Sequence, residues 1–275
     1  MAEQSDKKIK TFTLARILTA IVCWFSPGAT GGLFSFLQAK QEKSVREVAY
    51  QLAAERFNFQ LADQNPTDNS LFENYLKTFG LLPDKGYIKW HGFLQGEKNG
   101  VHFTLQDTSW MLGKRSGLLA DDTAKAQYTV LTIPQYHSIN CNVLIKNKKM
   151  FDGGIRLKQL EVGNSELENL YDIYSDNPAE TITLLNDGFS QTLLGYVQLA
   201  QKQAEFIITP QKVFVLFPYD PGAFGSPHSA GWWDRPVAKP FTSADPHTQC
   251  DKIVQDICDI LEIISALSSL ENPQA

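Results

Sequence analysis

No cysteine framework and no metal pattern runs through this 275-residue chain. Cys23, Cys141, Cys250 and Cys258 share no CxxC spacing and no Cys/His ligand arrangement. Cys23 lies in an apolar run, and Cys250 and Cys258 stand eight residues apart on one expected helix. Reduced, mostly buried thiols of a cytosolic protein are therefore expected, not disulfides. A basic stripe is missing too: net charge is −5 and no such stripe appears outside the first 16 residues, which sets nucleic acid aside as a partner. Neither GxxxxGK[ST] nor GxGxxG occurs, and Gly28, Gly31 and Gly32 follow no strand, so no nucleotide cradle is present. HExxH, GxSxG and EF-hand loops are also lacking. No cofactor, no metal site and no catalytic residue is assigned on these grounds.

The composition itself is that of a folded protein, with 43% hydrophobic and 20% charged residues and ample length for a buried core. Its apolar residues are unevenly spread. After a polar start ending in Lys7, Lys8 and Lys10, no charged residue occurs between Arg16 and Lys40, a run of 23 positions. Leu14 to Phe25 is strongly apolar, Ser26 to Gly32 is a breaker, and Leu33 to Leu37 resumes. Three readings stand: one kinked membrane span with its basic flank in the cytoplasm, a helix and return docked in a membrane surface or on a partner, or core segments of a soluble protein. Contact residues under the first two are Leu18, Ile21, Trp24, Phe25, Phe34 and Phe36. A cleaved leader is disfavoured by Arg16 within the apolar region and the lack of an A-x-A site.

Periodicity orders the rest. Val45, Val48, Leu52 and Phe59 mark a helix over 43–59, and Ser70 is expected to cap a short helix ending at Gly80. A β-rich half follows, with strands at 87–94 and 101–106 joined through Asn99-Gly100, a strong hairpin signal. Residues 113–126 read as a surface loop, and further strands as 128–133, 142–145, 155–160 and 170–174. Next, Asn177, Pro178 and Glu180 specify a helix start with a capping box. Ile182, Leu185, Phe189, Leu193, Val197 and Ala200 then predict one continuous stripe to about Gln203. A hairpin over 206–217 turns through Thr209 to Lys212.

From Pro218 to Pro240, prolines and glycines forbid regular structure, yet Phe224, Trp232 and Trp233 are too large and apolar for a plain linker. Such aromatics suit a partner protein or a membrane surface, or else a loop folded back on its own core. Asp245-Pro246 opens a final amphipathic helix with Ile253, Ile257, Ile260, Ile264 and Leu267 on one face.

Several pieces together carry a resemblance: Phe79-Gly-Leu-Leu-Pro83, the hairpin Gly92-Phe-Leu-Gln-Gly96 with Gly100-Val-His-Phe-Thr-Leu105, and above all Tyr174-Ser-Asp-Asn-Pro-Ala-Glu180 with Leu184-Leu185. Over residues 40–220 the chain resembles the bacterial domain of unknown function 3137 family. That resemblance implies an α+β domain facing the cytoplasm, often behind transmembrane helices, with no established activity. One broken apolar run stands here where paired spans are common, and the Trp-rich segment and C-terminal helix look like additions.

Reactive side chains remain sparse. His137 and Cys141 would stand about 13 Å apart on one strand face, too far for proton transfer. Asp172, Asp176 and Glu180 suggest a cation site only as the lesser reading, since Asp176 and Glu180 are what a helix N-terminus attracts. His91 and His102 could face each other across the first hairpin, but two ligands without a third are weak evidence for metal.

The expectation is an α+β protein with a mostly antiparallel sheet packed by the 178–203 helix and helical N- and C-terminal additions. It is divided into an apolar N-terminal segment (1–40), an α+β domain (41–217), a Pro/Gly/Trp-rich loop (218–243) and a C-terminal helix (244–275). The expected role is a non-enzymatic protein-interaction subunit of a bacterial membrane-associated assembly, at the cytoplasmic face of the inner membrane. Its partners would be other protein subunits and the membrane surface. Two alternatives stay open. One is a hydrolase-like enzyme, for which a pocket collecting His91, His102, His137 or perturbed acidic groups would be the sign. The other is a small-ligand sensor with a closed apolar cavity under the sheet.

Overall fold

The computed structural model describes residues 46–61, 66–82, 86–114, 123–134, 139–148, 155–185, 187–200, 204–218 and 246–268. In chain order the elements are α1 (46–57), β1 (Gln60–Leu61), α2 (Pro66–Phe79), β2 (Ile88–Lys98), β3 (Val101–Lys114), β4 (Thr123–Pro134), β5 (Val143–Asn147), β6 (Lys158–Leu160), α3 (Ser165–Leu170), β7 (Tyr171–Ser175), α4 (Pro178–Leu184), α5 (Asp187–Ala200), β8 (Glu205–Ile208), β9 (Lys212–Pro218) and α6 (Pro246–Ser268). They form the expected α+β fold around one antiparallel sheet. The chain divides into two compact units, residues 1–58 with 237–253 and residues 59–236 with 254–275.

In the first unit α1 buries Ala49, Tyr50 and Ala53, at helical spacing. Its Arg56 meets the start of α6, with Nη1 3.2 Å from Asp251 Oδ1 and Nη2 2.7 Å from His247 Nδ1. A guanidinium only donates, so His247 accepts at Nδ1 and holds its ring proton on Nε2.

The second unit holds a nine-stranded sheet in the order β1-β2-β3-β4-β9-β8-β5-β7-β6, every pair antiparallel. Asn99 (φ 53°) and Gly100 (φ 78°) make the tight turn between β2 and β3, both left-handed as such a hairpin demands. The strands outrun the sequence reading: β3 continues to Lys114 and β4 begins at Thr123, so pairing claims part of the stretch expected to be loop. Cross-strand hydrogen bonds extend a hairpin wherever both arms can stay extended, and polarity on one or both faces does not stop them.

Alternation assigns each strand residue to one face. One face presents Ile88, Tyr128, Val130, Leu144, Tyr174, Ile207, Phe214 and Leu216 to Phe72, Leu76 and Phe79 of α2. Phe72 meets Phe214 at 5.2 Å and Trp90 at 5.6 Å between ring centroids. The other face includes Phe206, which Phe189 of α5 packs edge-on at 6.0 Å. Each such fully buried aromatic contributes on the order of 2 kcal/mol. The Lys212 ammonium pairs with the buried Asp68 carboxylate, tying α2 to the β8–β9 turn.

Several local expectations need correction. α2 begins at Pro66, four residues before Ser70, since proline suits a first helical turn whose N–H groups lack partners anyway. Its end at Gly80 (φ 80°) is as expected, with Leu81 N donating to Leu76 O at 2.8 Å. The strand expected at 155–160 is only Lys158–Leu160. α3 was not anticipated, although Asn164 caps it by accepting from Leu167 N at 3.1 Å. Above all, the single helix over 178–203 is two. Leu185 (φ −89°, ψ 39°) leaves the helical conformation, and α5 restarts at Asp187. The break falls just before Asp187 and Gly188, two residue types of low helix propensity that open α5. Each half then sets its own register: α4 buries Thr181 and Leu184, α5 buries Phe189, Leu193 and Tyr196, and Ile182 is left 48% exposed.

Candidate functional site

At one end of the sheet the apolar face gives way to charge. The β5–β7 register places Lys146 across from Asp172, and the β5–β8 register, continued by one residue, places Glu205 on its other side. Glu205, Lys146 and Asp172 therefore form one row over three adjacent strands on the face covered by α2, all three buried. Across β9, where Leu216 is the cross-strand neighbour, Tyr128 completes the group from β4.

Glu205 is 5% exposed. Burial raises its carboxyl from 4.5 to about 7, opposed by the Lys146 charge, the Asn147 backbone N–H at 3.3 Å and the Tyr128 hydroxyl. Burial, then the Glu205 charge, pushes the Tyr128 phenol well above its ordinary value. Tyr171, on β7, is raised for the same two reasons, and its hydroxyl has no hydrogen-bond partner among the described residues. Asp172 lies nearer solvent, accepting from Gln159 Nε2 at 3.1 Å with Lys148 Nζ at 3.9 Å. Burial thus favours the protonated form of the Glu205 carboxyl, and its ionised form is the costly one.

A second polar group surrounds the start of α4. Asn177 caps the helix, accepting from Glu180 N at 3.4 Å. The reciprocal half of the expected capping box is absent, because Asn177 N donates to Ser175 Oγ at 3.0 Å. Glu180 instead accepts from Asn140 N at 2.6 Å and Asn177 Nδ2 at 2.9 Å. Asp176 accepts from Asn142 N at 2.8 Å and Asn142 Nδ2 at 2.6 Å. Both carboxylates thus clamp the segment leading into β5. Between them Thr181 Oγ1 lies 2.6 Å from Ser175 Oγ and 3.8 Å from Cys141 Sγ. Burial pushes the Cys141 thiol up to about 11, the reverse of an activated nucleophile.

The histidines do not meet as expected. The β2–β3 register sets His102 across from Glu97, with Nε2 3.5 Å from Oε2, and His91 across from Asp107. His137 and His228 lie outside the described residues, as does Cys23. Cys141 and Cys250 are free and buried, and Cys258 is free and partly buried. Among the described residues no group of three or more His, Cys, Asp or Glu is placed to hold a metal ion. Leu18, Ile21, Trp24, Phe25, Phe34, Phe36, Phe224, Trp232 and Trp233, the contact residues expected from sequence, also lie outside the described residues. No described helix is long and apolar enough to cross a membrane. The Glu205 row was missed for a plain reason: nothing in a lone glutamate before Phe-Ile-Ile signals burial until its strand is placed inside a sheet.

A family model described as a protein of unknown function, DUF3137, matches residues 119–269, more than half of the chain. The match takes in the Glu205 row and the α4 clamp. It also runs through the Trp-rich segment and into α6, which therefore fall within the family pattern and are not additions to it. No curated protein matches the chain. Among solved structures it is similar to the mycobacterial trehalose monomycolate transport factor A, with 12% identity over 63% of this chain and 83% of that one, at a TM-score of 0.40.

Proposed function

The chain belongs to the DUF3137 family, and from that premise we propose that it is a non-enzymatic protein-interaction subunit of a bacterial membrane-associated assembly, held at the cytoplasmic face of the inner membrane. The observation that carries this reading is the run of 23 uncharged positions between Arg16 and Lys40, preceded by Lys7, Lys8 and Lys10. An apolar segment flanked by cations suits the boundary between lipid and a negatively charged cytoplasmic leaflet. Leu18, Ile21, Trp24, Phe25, Phe34 and Phe36 are its contact residues, with Phe224, Trp232 and Trp233 forming a second, aromatic contact for partner subunits. Asp176 and Glu180 of the α4 clamp spend their oxygens on backbone and amide N–H groups of this chain, which is a structural use of those carboxylates.

Fractionation of bacterial cells expressing the tagged full-length chain, beside a version lacking residues 1–40, tests this. The full chain is expected to sediment with membranes and to co-purify with a defined set of subunits. The shortened chain should do neither, and Trp232→Ala with Trp233→Ala should weaken only the subunit capture. A full-length chain that stays monomeric and soluble without detergent, and recovers no subunit, overturns the proposal.

A further inference from the structure

Three charges in a row on adjacent strands do not balance: one buried ammonium, Lys146, stands between two carboxylates, Glu205 and Asp172. We propose that Glu205 is a proton-operated latch of the sheet, and that whether it carries its proton sets how firmly β8 is held between β5 and β9.

The groups around it argue for this. From β5 it faces the Lys146 ammonium and the Asn147 N–H, and from β4 the Tyr128 hydroxyl. From β7, the Tyr171 phenol feels its charge, and Asp172 stands across from Lys146 in the strand register. On β9 its neighbour is Leu216, and α2 covers this face with Phe72, Leu76 and Phe79, while its ionisable groups include Tyr75, packed on Phe214, and Asp68, paired with Lys212. Asp172 has further partners in Gln159 and, from the solvent side, Lys148. Among the described residues the cation acting on Glu205 is Lys146. Asp172 is the nearer of the two to solvent and to a second cation, so burial favours the protonated form of Glu205. The rise of the Glu205 carboxyl to about 7 agrees with that geometry.

The sign follows from linkage. Unfolded, Glu205 loses its proton near 4.5; folded, near 7. Between these values the folded chain holds a proton that the unfolded chain lacks, so stability falls as pH rises and levels off above the folded value. From pH 6 to pH 8 this one group lowers the folding equilibrium constant roughly tenfold.

Amide hydrogen exchange of the full-length chain, corrected for the intrinsic chemical rate, reads the effect in the segments spanning 143–147 and 204–208. In the wild type, protection is expected to drop roughly tenfold from pH 6 to pH 8. Glu205→Gln, which fixes the side chain in a neutral form of the same shape, should abolish the drop. Should that variant not fold, Asp172→Asn gives Lys146 to Glu205 alone and must move the wild-type drop to lower pH. An unchanged drop in Glu205→Gln, an unmoved one in Asp172→Asn, or a wild type with no drop overturns the latch.

Discussion

Asp176 holds Asn142 twice, once by its backbone N–H and once by its side-chain amide, at 2.8 and 2.6 Å. This joins the approach to β5 to the turn before α4 across 34 residues of chain. Asp176→Ala removes both acceptors at a solvent-exposed position and is expected to cost about 1 kcal/mol, seen as a lower urea midpoint with an unchanged slope. A midpoint equal to wild type would mean water replaces the carboxylate without loss.

Gly96 lies under the Phe59 ring, where a Cβ would collide with Cδ1 and sit 3.0 Å from Cγ. Phe59 is buried and stacks edge-on against Phe103 at 5.0 Å, so the ring has little room to yield. Gly96→Ala should therefore destabilise by about 1–3 kcal/mol, and Phe59→Leu in the same chain should recover part of that loss. Strict additivity of the two changes would refute a clash as the cause. At Gly100 (φ 78°) nothing lies within 4 Å of a Cβ, and Gly100→Ala should cost only the backbone strain, about 1 kcal/mol.

Tyr171 and Tyr196 bury hydroxyls that have no hydrogen-bond partner among the described residues. Removing an unsatisfied buried polar group relieves its desolvation, so Tyr171→Phe and Tyr196→Phe should be neutral or stabilising by up to about 1 kcal/mol in thermal or urea unfolding. A loss larger than that in either variant would reveal a hydrogen-bonded water at its hydroxyl.

Cys141 should resist alkylation. With its thiol at about 11 against an ordinary 9, the reactive thiolate is roughly 100-fold scarcer at neutral pH, before access is considered. Mass spectrometry of iodoacetamide-treated native protein is expected to find the Cys141 peptide unlabelled until denaturant is added. Prompt native labelling would show that the α4 junction opens.

Much of the fold was legible because local chemistry specified it. Asn99-Gly100 fixed a hairpin, Asn177-Pro178 a helix start, Gly80 a helix end, and the isoleucines of α6 its buried face. Errors arose where two local signals competed. The apolar spacing through Ile182 and Leu185 predicts one helix, but the chain leaves the helical conformation at Leu185 and restarts at Asp187. The Glu205 row was hidden for a different reason: its members come from β5, β7 and β8, and only pairing over distances of up to 59 residues brings them abreast. The acidic residues of the α4 junction were correctly read as belonging to a helix start, but their partners Asn140 and Asn142 lie about 40 residues upstream.

The pairing of β4 with β9 carries a consequence for biosynthesis. A ribosome releases Tyr128 to Pro134 long before Lys212 to Pro218, the strand that flanks them in the finished sheet. Until then Val130, Leu131 and Ile133 sit on a bare outer edge, a template for neighbouring nascent chains. Messages truncated before codon 212 should yield insoluble product, whereas slowing elongation within 135–211 should raise the demand for chaperones.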